Sequence, residues 1–150
     1  MRTTRTMTIE EVQQDIIEEF SVYEDWMDKY AYLIELGNQL APLDPEEKND
    51  QNLIKGCQSR VWLVANKTNG TIEFKGESDA VIVKGLVALL LRVVSGRTPR
   101  EITENELHFI KDLGLIQHLS PTRSNGLLAM VKQIKLYALA YKRIESEGGN

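Results

Sequence analysis

Cys57 is the only cysteine in the chain, and it lies in the stretch LIKGCQSRVWLV, residues 53–64. Its deprotonated form is a nucleophile toward carbonyl carbon and toward sulfur. A free cysteine is commonly a small buried hydrophobe. Here the neighbours Gly56, Gln58 and Ser59 are small or polar, so this segment does not read as a core strand. Gly56 permits a backbone turn that other residues resist, and exposed N–H groups beside such a turn favour a thiolate. The cysteine sits at the mouth of a strand, where a side chain can be displayed.

The possible helpers are few. His108 and His118 are the only histidines. His108 falls on a predicted helix beside Phe109 and Ile110 and reads as a surface or packing residue. His118 falls in the irregular segment IQHLSPTR. Paired with Cys57 it would suit nucleophilic hydrolysis; alone it reads as a loop histidine bonded to its own backbone. Arg123, in SPTRSNGL, can pair with an acid or steady an anion, or be a plain surface cation. Asp79 reads as a helix N-cap, as does Ser78. Trp62 reads as a half-buried strand aromatic, and the acidic residues of 44–50 as a solvated loop.

Other chemistry is excluded by counting. One cysteine cannot close an internal disulfide or build a thiolate cage for zinc or an iron–sulfur cluster. The carboxylates show no defensible pairing, and there is no glycine-rich phosphate loop. The 150-residue chain is 42% hydrophobic and 27% charged with a formal net charge of −4, ordinary for one soluble domain. It has no basic block for nucleic acid. The most apolar run, residues 80–94, is broken by Lys84 and Arg92 and is shorter than a membrane span. The start of the chain lacks the apolar core of a signal peptide. The expected setting is reduced and cytoplasmic.

The elements that must position these residues follow from periodicity. Thr8 and Glu11 have capping-box spacing before a helix carrying Ile9, Val12, Ile16, Ile17 and Phe20. A second helix is expected over 24–40, with Trp26, Met27, Tyr30, Leu33, Ile34 and Leu40 as its apolar stripe. Residues 41–50 form a loop with one helical turn after Asp44. An antiparallel hairpin pairs 58–67 with 71–76 around Asn69-Gly70. A buried helix over 79–95 follows, stopped by SGRTP. A shorter helix over 103–114 closes at Gly114, and a loop leads to a last helix begun by Ser120 and Pro121. This makes a mostly helical α+β domain over 8–145, a small antiparallel sheet packed against several helices. Residues 1–7 and 146–150 read as flexible ends.

Several segments together carry a resemblance. QNLIKGCQSRVWLV (51–64), KGESDAVIVKGLVALL (75–90), LIQHLSPTRSNGLLAMV (115–131) and, upstream, YLIELGNQL (32–40) resemble the SufE family, which includes CsdE-like proteins. The resemblance runs in order over about residues 10–142. It implies a sulfur acceptor for a cysteine desulfurase, SufS- or CsdA-like. That partner would carry the pyridoxal phosphate, leaving this chain with no cofactor or metal. It would hold sulfur as a persulfide, which Cys57 takes and relays to the SufBCD scaffold for iron–sulfur cluster assembly. The resemblance matches Cys57 to the acceptor and Gln58 and Ser59 to its loop. It matches Asp79 and Lys84 to the family's central segment, and His118 and Arg123 to its second one. The implied fold is shared with the IscU-type scaffold, whose cluster needs several cysteines; one cysteine argues against that role. A monomer or weak dimer is expected. Two rival functions stand beside this one: a stand-alone Cys–His hydrolase and a purely allosteric desulfurase activator.

Overall fold

A computed structural model describes residues 7–56 and 58–149. Helix α1 (Ile9–Ser21) starts as its capping box dictates: the Glu11 amide donates to Thr8 Oγ1 at 3.0 Å and the Thr8 amide to Glu11 Oε1 at 2.8 Å. Its inward face is Ile9, Val12, Ile16 and Phe20. Helix α2 (Trp26–Asn38) begins at Asp25, whose carboxylate accepts from the Asp28 amide, so it is shorter at both ends than the expected 24–40. Met27, expected in its apolar stripe, is 78% exposed, because the inward face runs through Leu33 and Gly37 instead.

Strands β1 (Val61–Thr68) and β2 (Thr71–Ser78) form the antiparallel hairpin, with Val61 opposite Ser78 and Thr68 opposite Thr71. The turn works because Asn69 and Gly70 both take positive φ, 54° and 84°. One face of the hairpin, Val61, Leu63, Ile72, Phe74 and Gly76, is buried. It packs on helix α3 (Val81–Val94), whose buried residues occupy most of its circumference. Helix α2 crosses α3 at two glycines. A Cβ on Gly85 would lie 2.2 Å from the Leu33 carbonyl oxygen, and one on Gly37 would lie 2.8 Å from the Gly85 amide nitrogen.

The expected caps of α3 are corrected here. Ser78 belongs to β2, Ala80 occupies the cap position, and no side chain caps the helix. Both candidate groups are engaged across the hairpin: Ser78 Oγ donates to the Arg60 carbonyl at 2.8 Å, and Asp79 Oδ1 accepts from the Arg60 amide at 3.1 Å.

The expected helix over 103–114 is also corrected. Thr98 and Glu101 form a capping box with Pro99 in the first turn, so helix α4 (Pro99–Glu104) starts earlier and stops at Asn105. Helix α5 is the single turn Phe109–Asp112. The break is held from a distance. Buried Gln13 donates to the Glu106 carbonyl and accepts from the Phe109 amide, while Lys135 Nζ donates to the carbonyls of Ile102 and Asn105. Gly114, at φ 76°, ends α5 as expected. Part of the predicted loop is then a helical turn, α6 (Leu115–His118).

Helix α7 (Pro121–Ile144) starts where Ser120 and Pro121 indicate, with the Arg123 amide donating to Ser120 Oγ at 3.3 Å. Leu127, Met130, Ile134 and Ala138 face the core, while Leu128 and Ile144 are about half exposed. The expected tail runs on as a π-helical turn, Glu145–Gly149, with Glu145 on Lys67 at 2.6 Å. At the other end Met7 is half-buried and its carbonyl accepts from buried Arg97. No helix among the described residues is long and apolar enough to cross a membrane.

Candidate functional site: the loop between residues 54 and 61

The segment that approaches Cys57 is clamped to the outer face of the hairpin. Glu77 accepts from the Leu43 amide at 2.8 Å and pairs with Lys48 at 2.8 Å, and Lys75 pairs with Glu47 at 2.6 Å. The Lys48 contact, ahead of the Leu43 amide, holds the Glu77 carboxyl below the usual range despite its burial. Lys48 also lies 5.6 Å from the Trp62 ring centroid. The chain then runs along the free edge of β1, where the Leu63 amide donates to the Asn52 carbonyl and the Ile54 amide to the Val61 carbonyl, both at 2.8 Å.

The described residues between Ile54 and Val61 therefore belong to a loop closed at its base, since Ile54 and Val61 are bonded to each other. The return limb is held again at Arg60. Its carbonyl accepts from Ser78 Oγ and, at 3.2 Å, from the Asp79 amide; its own amide donates to the Asp79 carboxylate. Gly56 has φ 93°, which L side chains resist. Among the described residues a Cβ there would meet the Ala129 Cβ alone, at 3.7 Å, so the backbone conformation is what demands glycine. Cys57 itself lies outside the described residues.

Both flanks of Cys57 meet helix α7. Gln58 and Ser59 line a narrow crevice with Val83, Thr122, Arg123 and Gly126. On the other flank, Lys55 and the preceding residues face Ala129 and Lys132 across an open groove of about 600 Å³. The first turn of α7 carries the positive end of a 24-residue helix. Arg123 adds a cation at that turn and makes no ion pair or side-chain hydrogen bond among the described residues. Helix end and guanidinium both favour an anion in this crevice, and a thiolate is one.

The residues matched to the family are spread unevenly around this loop. Gln58, Ser59 and Arg123 share the crevice. Asp79 braces the loop's return limb through Arg60. Lys84 stands on α3 beside Val83, half-buried, and its charge acts on Glu77. His118 lines neither the crevice nor the groove. Its ring stacks on Trp26 at 4.2 Å and 16°, and its Nδ1 donates to the Gly114 carbonyl at 3.0 Å, so it ties α6 to α2. His108 bonds Asp112 and Glu10, both at 2.6 Å, joining α5 to α1. Gly126, Ala129, Asn52 and Glu77 also shape the loop and were not singled out from the sequence, although all four lie within the segments that carry the resemblance. Among the described residues no three His, Cys, Asp or Glu side chains come together as metal ligands.

Comparison with known proteins bears on the family and on the fold. The model of the family described as "SufE: Fe-S metabolism associated domain" matches residues 14–138. The fold is also that of the solution structure of a hypothetical protein from Thermus thermophilus. The two are 20% identical with a TM-score of 0.70, over 86% of this chain and 94% of that one.

Proposed function

This chain belongs to the SufE family, associated with Fe–S metabolism, and from that premise we propose that it is a sulfur carrier loaded at Cys57. The donor is a cysteine desulfurase, SufS- or CsdA-like, which holds its pyridoxal phosphate and a cysteine persulfide. The Cys57 thiolate attacks the terminal sulfur of that persulfide. A new S–S bond forms on Cys57, the donor's S–S bond breaks, and the donor cysteine leaves as a thiolate. The proton stays on the transferred sulfur, and because one S–S bond replaces another no oxidant or reductant is consumed. Cys57 then yields the same sulfur to an acceptor thiol, which we take to be on the SufBCD scaffold. Removing the product persulfide speeds the donor's turnover. The chemistry suits a reducing compartment, the cytoplasm.

The observation that carries this reading is the loop at 55–60. Its base is closed by the Ile54–Val61 hydrogen bond and braced by Asp79, while its described residues beyond that base belong to neither strand. Such a loop can present one side chain to another protein's active site without disturbing the core. Its flanks rest beside a cation and a helix N-terminus, which favour the reactive thiolate. The geometry gives no support to a Cys–His hydrolase, because His118 lines neither the crevice nor the groove beside the loop. The test is intact-mass analysis after incubation with a desulfurase and L-cysteine. One or more sulfur atoms should be added at Cys57 and be removable by reductant. No adduct in the presence of an active desulfurase would retire the proposal. Full stimulation of the desulfurase by Cys57→Ser would replace it with a purely allosteric role.

A further inference from the structure

Leu43 and Ile54 are buried, but no residue between them is, so apolar packing does not hold the segment that leads into the Cys57 loop. Two local contacts shape it from within: the Asp44 amide donates to Glu47, and the Asn52 amide to Asn49. The bonds that tie it to the hairpin are polar. Two are backbone bonds on the edge of β1, from the Leu63 amide to the Asn52 carbonyl and from the Ile54 amide to the Val61 carbonyl. The others come from side chains on β2, Glu77 and Lys75.

Glu77 is the centre of this attachment. It stands opposite Trp62 in the hairpin, and Trp62 is bridged on its other side by Leu53. One Glu77 oxygen accepts from the Leu43 amide and the other pairs with Lys48, so a single carboxylate holds the segment at two points. Lys48 in turn lies over the Trp62 ring. The Glu77 side chain is 14% exposed, whereas Lys75 in the neighbouring pair with Glu47 is 49% exposed. Solvent and salt therefore screen the Lys75 pair more, and Glu77 carries more of the attachment.

We propose that Glu77 is a positioning residue for sulfur uptake: by holding Leu43 and Lys48 it keeps residues 52–54 on the edge of β1 and so fixes the limb from which the Cys57 loop is presented. The inference rests on the sulfur-carrier reading. Glu77 acts through the backbone of that limb. When the limb leaves β1, the Ile54–Val61 bond at the base of the loop opens, and the loop is offered in its productive pose for a smaller fraction of the time. The carrier concentration needed by the desulfurase rises by the inverse of that fraction, while turnover of the complex, once formed, is unchanged.

The experiment uses the full chain, a purified SufS-type desulfurase and L-cysteine. Glu77→Gln keeps an oxygen for the Leu43 amide and removes the charge that Lys48 meets. Lys48→Gln removes the same pair from its exposed side. Glu19→Gln, which breaks the ion pair with Arg92 between α1 and α3, controls for losing a pair elsewhere. Circular dichroism confirms folding. Amide hydrogen exchange is read by NMR at Ile54 and Leu63, with Ile72, bonded to the Arg97 carbonyl on the other edge of the hairpin, as internal reference. In both clamp variants exchange at Ile54 and Leu63 should quicken on the order of tenfold, with Ile72 unchanged. The carrier concentration giving half-maximal stimulation should rise on the order of threefold, with an unchanged maximum. Glu19→Gln should match wild type in both readouts. Unchanged exchange at Ile54 and Leu63, equal quickening of all three amides, an unchanged half-maximal concentration, or the same rise in Glu19→Gln would each overturn the role of Glu77. The carrier function would still stand, because it is read separately as sulfur added to wild-type Cys57 by mass. Failure of the wild type to take sulfur would remove the carrier function and this role with it.

Discussion

Arg123 occupies the third position of α7, where its amide is held by Ser120 Oγ and its side chain reaches the crevice lined by Gln58 and Ser59. An exposed guanidinium there contributes little to folding, so Arg123→Ala should change stability by no more than about 0.5 kcal/mol. Its effect belongs to the thiol. Losing the cation lowers the thiolate fraction, and alkylation of Cys57 by iodoacetamide at neutral pH should slow on the order of threefold. Stopped-flow alkylation of both proteins measures this; equal rates would leave the helix N-terminus as the only source of activation. Gly56 acts differently, through its backbone φ of 93°.

At the scale of elements, the crossing of α2 and α3 is the most demanding contact in the fold. Gly85 sits where a Cβ would be 2.2 Å from the Leu33 carbonyl oxygen and 2.7 Å from its carbon, both backbone atoms that cannot rotate away. Gly85→Ala must push two buried helices apart, and α3 also packs on β2 and α1. The expected cost is about 3 kcal/mol, at or above the usual range for overpacking. Urea unfolding followed by circular dichroism reads it as a lower midpoint; an unchanged midpoint would show that the two helices can separate freely. Because Val83, which lines the crevice, lies two residues before Gly85, separating the helices should also disturb the seat of the Cys57 loop.

At the scale of the whole molecule, His108 joins α5 to both α1 and its own turn, with Asp112 and Glu10 on its two ring nitrogens. Asp112 first, and Glu10 second, raise its pKa above the ordinary 6.5. The charged ring is favoured in the fold, so its stabilisation is fully present below pH 6.5 and is lost as pH rises through the raised value. His108→Gln should therefore fall short of wild type in Tm at about pH 6 and by less at about pH 9. Thermal scans at both values check the sign, and a gap that widened with pH would refute it. The neighbouring links hold the same end of the molecule together: Gln13 to the break after α4, and Lys135 to the carbonyls of Ile102 and Asn105. The Thermus thermophilus protein shares the fold at 20% identity, as packing that needs apolar volume more than particular side chains allows.

Local signals carried far along this chain. The capping box at Thr8, the Asn69-Gly70 turn, the apolar density of residues 80–94 and the Ser120-Pro121 start each set their element, because each acts within about four residues of itself. The segment around Cys57, with SPTRSNGL downstream, was enough to indicate the family. Long-range bonds decided the rest. Ser78 and Asp79 read as caps of α3, but Arg60, brought opposite by the hairpin, takes both. The run at 103–114 reads as one helix, but the capping box at Thr98 and the bonds from Gln13 and Lys135 divide it. His118 reads more simply as a loop histidine bonded to its own backbone than as a base for Cys57; its Nδ1 does meet the Gly114 carbonyl, but the stacking on Trp26 comes from a distant helix. In each case periodicity reports which face of a segment turns inward, while the partner of a polar group is set by whatever the rest of the chain brings within about 3 Å.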